Sequence, residues 1–254
     1  MNNSKNWKKA QKKSSIIFFH GLCGCKSHFD NSSKFFFGYK NLTFDLIGFG
    51  KNRLKLNVKK SILSQQIKYI EKKISDSEVE NLVLVFHSLA TILIPHLFKS
   101  IKINKKISHI ILIEGDIIEE NLQWSKKISN MNKSSYNRYI SKFKTNSTFV
   151  MKSQLINKKN YKKKYSDCFK NFDSIILRKF CKECVQNIKN NTVYNFLKKI
   201  KVKKLLVVSS LNNKFYSKKI KKLFNRTNII KNSGHYPMID NPKKTYESIK
   251  NFIS

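Results

Sequence analysis

The stretch Leu82-Val83-Leu84-Val85-Phe86-His87-Ser88-Leu89-Ala90-Thr91 constrains the fold more than any other part of the chain. Apolar residues of strand character run into a serine, and the small Ala90 sits two places beyond it. Apolar residues then recur at helical spacing, at Leu89, Ile92, Leu93 and Leu97. A strand that turns sharply into a helix on a serine lifts the hydroxyl clear of the backbone, at the positive end of the helix dipole. Such a turn presents a nucleophile. A buried strand followed by a helix can also carry an incidental serine, so the surrounding sequence has to decide.

The rest of the chain alternates in the same manner. Short apolar runs predict strands over 15–19, 42–46, 82–86, 107–113, 205–209 and 227–230, several of them closing on glycine. Apolar residues at 58, 62, 63, 67, 70 and 74 share one helical face. Near the C-terminus, Asn241 is placed to cap a helix with Pro242 at its first position and Tyr246, Ile249 and Phe252 on one side. Strands separated by helices predict an α/β fold: a mostly parallel central sheet of about six strands, flanked by helices. The alternation stops from 117 to about 200, where lysine-rich, aromatic-studded helical pattern takes over (Trp124, Tyr136, Tyr139, Phe143). This segment reads as a helical cap, 117–200, set over the carboxyl edge of a core formed by 1–116 and 201–254. Open α/β sheets bind their ligands at that edge.

Composition narrows the classes of partner. The chain carries a net charge of +37, which suggests nucleic acid. Yet the only arginines are Arg53, Arg138, Arg178 and Arg226, and the bidentate arginine fork that reads bases and phosphates is scarce. Alanine occurs only at Ala10 and Ala90 while Lys, Asn, Ile and Phe abound, a bias toward AT-rich codons. No specific nucleic-acid partner is therefore expected; attraction of acidic macromolecules at low salt is. No apolar run approaches the ~20 residues of a membrane span, and residues 1–13 lack the apolar stretch of a secretion signal, so a cytoplasmic protein is expected. The five cysteines, Cys23, Cys25, Cys168, Cys181 and Cys184, form no disulfide or metal framework by spacing, and are expected as reduced thiols. No metal or cofactor is expected.

Other segments supply what a nucleophilic serine needs. His20-Gly21-Leu22-Cys23-Gly24 follows a predicted strand, and the glycines let backbone amides face a site. The N–H groups of Leu22 and Leu89 could together hold an oxyanion, each worth roughly 3–4 kcal/mol in the transition state. Gly234-His235-Tyr236-Pro237 lies between the last strand and the last helix, where an imidazole can take the proton of Ser88 and return it to a leaving group. His20 and His87 adjoin backbone motifs and read as structural.

These segments resemble the α/β-hydrolase superfamily over nearly the whole chain. Ile16-Ile17-Phe18-Phe19-His20-Gly21 is similar to its strand and oxyanion turn, and Asp45-Leu46-Ile47-Gly48-Phe49-Gly50 to its Asp-Leu-Pro-Gly-x-Gly segment. His87-Ser88-Leu89 falls at its nucleophile elbow and Gly234-His235 at its histidine loop. Of seven glycines, only Gly38 lies outside such motif positions. Two positions depart from the family pattern. Phe86 stands where the elbow usually has a small residue, and Ser210-Leu211-Asn212-Asn213 offers no carboxylate where the usual acid lies. Some members carry the acid after the preceding strand, which here is Glu114. The resemblance thus implies Ser88, His235 and Glu114 as catalytic residues, with Asp116 as reserve acid and Asn213 as reserve orienter of the imidazole.

The implied activity is hydrolysis of a carboxylic ester or thioester through an acyl-enzyme. An apolar cap fits a small acyl ester as substrate. Length, cap and motif order are similar to the pimeloyl-acyl-carrier-protein methyl ester esterases of biotin synthesis, which implies an acidic acyl carrier protein as partner. The alternative is a catalytically degenerate member acting as a ligand- or partner-binding module.

Overall fold

A computed structural model of the protein describes residues 14–75, 81–99 and 107–254. The basic stretch 1–13, read above for a secretion signal, lies outside the described residues. Strands β1 (Ser14–Phe19), β2 (Lys40–Thr43), β3 (Asn81–His87), β4 (Ile107–Ile113), β5 (Lys203–Ser209) and β6 (Arg226–Ile230) form one parallel sheet. Their order is β2-β1-β3-β4-β5-β6. The chain moves outward from β1 to β2 and then returns past it to β3, so the strand order reverses between β1 and β3. In open α/β sheets the carboxyl ends beside such a reversal flank the ligand crevice. The inner strands are apolar without alternation because both faces are covered: Leu82 to Phe86, Ile110 to Ile113 and Leu205 to Val208 are all buried. Each such side chain contributes roughly 1.5–3 kcal/mol of burial free energy.

Three elements differ from the sequence expectation, each for a local reason. β2 ends at Thr43 instead of continuing to residue 46. Beyond it, side chains replace the ladder: Leu46 N–H donates to His20 Nε2 at 3.0 Å, and Asp45 accepts the N–H groups of Lys26 and Lys51 at 2.7 and 2.8 Å. Helix α1 (Ile62–Ser75) starts four residues later than the apolar pattern at 58 suggests. Its first turn is held from outside, by Glu183, whose carboxylate accepts the N–H groups of Ile62 and Leu63 at 2.8 Å each. Ser61 Oγ accepts the N–H of Ser64 at 3.1 Å. Side-chain acceptors thus meet three of the unpaired donors that every helix start exposes.

The third difference follows the serine. Residues Ser88–Leu93 form a 3-10 helix, and only Ile94–Leu97 are α-helical (α2). Pro95 explains this. An α-helical bond to the Thr91 carbonyl would need the N–H of residue 95, which proline lacks; Ile94 N–H bonds that carbonyl instead. Phe86 causes no breach of the elbow. Its ring stacks on Phe19 of the neighbouring strand, centroids 4.7 Å apart at 10°, inside the sheet face.

Between β4 and β5 lie α3 (Gln123–Asn130), α4 (Lys133–Thr145), α5 (Ser147–Ser153), α6 (Lys163–Asp167), α7 (Ser174–Lys189) and α8 (Thr192–Lys199). The first three place Trp124, Tyr139, Phe143 and Val150 around the same cavity as Ser88. The last two turn down the flank of the sheet: α7 carries Glu183 to α1, and Phe196 of α8 packs on Phe98 at 5.2 Å. After β5 come α9 (Lys218–Lys221), then α10 (Pro237–Asp240) and α11 (Pro242–Ile253), the latter capped by Asn241, which accepts Lys244 N–H at 3.3 Å. The cysteines correct the sequence reading. Cys25 and Cys168 are joined across 143 residues of sequence, a pairing that spacing cannot reveal; Cys23, Cys181 and Cys184 are free and buried. Among the described residues no helix is long and apolar enough to cross a membrane.

Candidate active site

Ser88 leaves β3 with φ of +53°, a left-handed conformation that costs a side chain of order 1–3 kcal/mol and aims its hydroxyl out of the sheet. The turn is held by Thr91, whose hydroxyl lies between the carbonyls of Asp116 (2.6 Å) and Ser88 (3.1 Å). Gly21, at the end of β1, packs directly on it. A Cβ there would lie 2.9 Å from both Ser88 Cβ and His87 Nδ1, so only glycine permits the approach.

His235 comes from the loop between β6 and α10, and its Nε2 is 3.1 Å from Ser88 Oγ. Two contacts fix the loop. His87 Nε2–H donates to the His235 carbonyl at 2.9 Å, and Asp240 accepts Gly234 N–H at 2.7 Å. Asp240 also accepts Ile156 and Asn157 N–H (3.2 and 2.8 Å), which ties the helical segment to the same loop. Burial, followed by the charge of His235, drives the His87 pKa far down, so that His87 remains a neutral donor.

Glu114 follows β4, also with a left-handed φ of +52°, and is buried. Its Oε2 lies 3.6 Å from His235 Nδ1, ion-pair distance and slightly long for a hydrogen bond. The carboxylate is anchored from β5: Ser209 N–H donates to it, and so does the side-chain amide of Asn212. Burial pulls the His235 pKa down, but Glu114 and then Asp116 more than offset this, leaving the imidazole above its ordinary value.

Asp116 also reaches the serine: Ser88 Oγ donates to its Oδ2 at 3.4 Å. Burial foremost, and the neighbouring Glu114 in addition, push its pKa up to about 7, against the opposing pull of His235. Asn213, the reserve orienter, does not join the group. It opens a 3-10 turn after β5 and accepts from Lys221 Nζ at 2.7 Å, while its neighbour Asn212 turns inward to Glu114. Sequence reading missed Asn212, and it missed Tyr216, whose hydroxyl donates to the Gly115 carbonyl at 3.2 Å. An asparagine pair after a strand carried the only signal, without saying which side chain points in.

These groups line one cavity of about 470 Å³. Leu22 and Leu89 line it together with Ser88. The Leu89 N–H is in the first turn of a 3-10 helix, where no acceptor within the helix exists. Trp124, Tyr139, Phe143, Val150 and Phe169 form an apolar roof. Serine, imidazole and carboxylate in sequence can carry a proton away from a hydroxyl.

Order of strands, elbow and histidine loop together define the α/β-hydrolase fold. Solved structures of that fold match the chain throughout its length. The Cif epoxide hydrolase from Acinetobacter nosocomialis superposes with a TM-score of 0.74 at 14% identity, over 95% of this chain and 82% of that one. A variant of an N-acyl homoserine lactonase, complexed with N-hexanoyl homoserine, gives 0.71 at 12% identity, over 94% and 88%. A lipase-esterase related protein from Clostridium acetobutylicum gives 0.62 at 16%, over 94% of each chain. No protein-family model and no curated protein sequence matches.

Proposed function

We propose that the protein is a serine hydrolase that cleaves a carboxylic ester or thioester through an acyl-enzyme. The observation that carries this reading is the 3.1 Å approach of Ser88 Oγ to His235 Nε2 on a serine held at positive φ. Ser88 Oγ attacks the carbonyl carbon and its proton passes to His235 Nε2, while Glu114 stabilises the imidazolium. The N–H groups of Leu22 and Leu89 hold the oxyanion. On collapse His235 protonates the departing alcohol or thiol; water, deprotonated by the same imidazole, then releases the acid and restores Ser88. The roof of Trp124, Phe143 and Phe169 suits an apolar acyl chain. Residues 117–200 act as the cap on a core of 1–116 and 201–254, its first helices roofing the cavity and its last two bracing the flank.

The finer reading is a cytoplasmic esterase acting on an acyl-carrier-protein-linked methyl ester in biotin synthesis, with the lysine-rich exterior drawing in the acidic carrier. The 3.6 Å gap between His235 and Glu114 favours a second reading, a degenerate fold member that binds a ligand without turning it over. Hydrolysis of p-nitrophenyl acetate and butyrate by the wild type and by Ser88→Ala separates the two. The hydrolase reading expects a loss of roughly 10⁴-fold or more in kcat. Equal background rates in both proteins sink it.

A further inference from the structure

A second group of reactive side chains sits at the seam between the loop after β1 and the helices of the cap. Cys25, His28 and Cys168 are all buried, and one donor atom from each lies within 4.8 Å of the others. His28 Nε2–H donates to the Tyr165 carbonyl at 3.2 Å, which fixes the tautomer and leaves Nδ1 as a bare lone pair. That Nδ1 is buried and has no hydrogen-bond partner among the described residues. The rings of Tyr165, Phe169 and Tyr236 stand edge-on around the imidazole, with centroids 5.1–6.2 Å away, and hold its orientation. A disulfide between Cys25 and Cys168 satisfies both sulfurs but gives the lone pair nothing to bind.

We propose that in the dithiol state Cys25, Cys168 and His28 Nδ1 bind one thiophilic metal ion, zinc(II) or copper(I). Two thiolates and an imidazole are the donor set these ions select, with bonds of about 2.0–2.3 Å for zinc. An imidazole whose other N–H donates to a backbone carbonyl is the usual support of a metal-binding histidine, and Tyr165 supplies it here. The balance is simple. A dithiol or phosphine reductant gives two electrons to the disulfide, two thiols form, each thiol releases a proton to solvent, and two sulfur–metal bonds and one nitrogen–metal bond replace them. In a reducing compartment the thiol state is the resting one. The metal would join the oxyanion-side loop to the cap, the connection that the disulfide makes when oxidised.

The site stands apart from the hydrolase reading and is tested without it. The full-length chain is reduced with a phosphine, freed of it under nitrogen, and titrated with zinc(II), cobalt(II) and copper(I) beside the oxidised chain. The reduced chain should retain one zinc or copper ion in native mass spectra and show thiolate-to-cobalt charge-transfer absorption; the oxidised chain should do neither. Cys25→Ser with Cys168→Ser should abolish both signals. His28→Gln should weaken binding by more than the roughly 10–100-fold that losing a supporting hydrogen bond costs. Reduced wild type that binds no more metal than oxidised wild type overturns the proposal, and so does undiminished affinity in His28→Gln. The wild-type comparison needs no substitution, so misfolding of a variant cannot rescue a failed site.

Discussion

At the scale of single residues, the site is governed by two carboxylates that treat the serine and the imidazole differently. Glu114 and Asp116 both raise the His235 pKa, with Glu114 the larger influence. In the proposed mechanism the neutral imidazole is the base, so kcat/KM should rise with pH along a limb whose midpoint lies above the ordinary 6.5. Removing a negative neighbour lowers the pKa. Glu114→Gln should therefore move the limb to lower pH while reducing the plateau, and pH–rate profiles of both proteins check the direction. An unmoved limb means Glu114 does not face the catalytic base. Asp116 makes the opposite kind of contribution to stability. Its pKa rises from 3.8 unfolded to about 7 folded, so the folded state binds the proton more tightly. Nothing is lost below pH 3.8; above it the folded state is progressively disfavoured, and the effect is complete beyond pH 7. Asp116→Asn should thus stabilise the protein by about 2–4 kcal/mol at pH 8 and by little at pH 4. Urea unfolding at both values measures this, and a gain independent of pH refutes the assignment.

At the scale of elements, most of the architecture was legible because apolar periodicity is a property of each segment by itself. All six strands exist where the pattern points, five of them and the late capped helix close to the expected bounds and β2 only in part. The failures are places where a distant side chain, or one proline, overrides local pattern. Beyond the early end of β2, His20 accepts the Leu46 N–H that a continued strand would have used, and α1 starts late under the carboxylate of Glu183. The 3-10 turn after Ser88 was readable in principle, since Pro95 stands four residues beyond Thr91. In the site, glycine and motif order brought Ser88 and His235 into view, and Glu114 entered only through the resemblance to α/β-hydrolases whose acid follows the preceding strand. Asn212 and the Cys25–Cys168 link were not visible, because neither spacing nor residue type distinguishes Asn212 from Asn213 or pairs sulfurs 143 residues apart. Phe86 looked too large for the elbow only while its neighbour was unknown; beside Phe19 it is an ordinary sheet pair.

At the scale of the whole molecule, two electrostatic fields oppose each other. The chain bears 52 lysines and arginines against 15 acidic residues, yet the described residues lining the cavity include Glu114, Asp116 and Glu120 and not one lysine or arginine. At long range the protein attracts anions, over a distance set by the Debye length of about 8–10 Å near physiological salt. Within the cavity Glu114 and Asp116 are buried, and where a charge meets them through a low dielectric an anionic acyl chain should be repelled. Inside the cavity the two fields together favour an uncharged acyl chain. Three p-nitrophenyl esters of equal chain length, ending in methyl, carboxylate or trimethylammonium, separate the two contributions. The carboxylate ester should have at least about tenfold lower kcat/KM than the methyl ester, an unfavourable difference of about 1.4 kcal/mol in the transition state. Added salt should lower its rate further by screening the outer attraction, and leave the methyl ester unchanged. Asp116→Asn should narrow the gap. Equal kcat/KM for all three esters would mean that the cavity carboxylates do not face the acyl chain, and that the lysine-rich exterior alone sets which molecules approach.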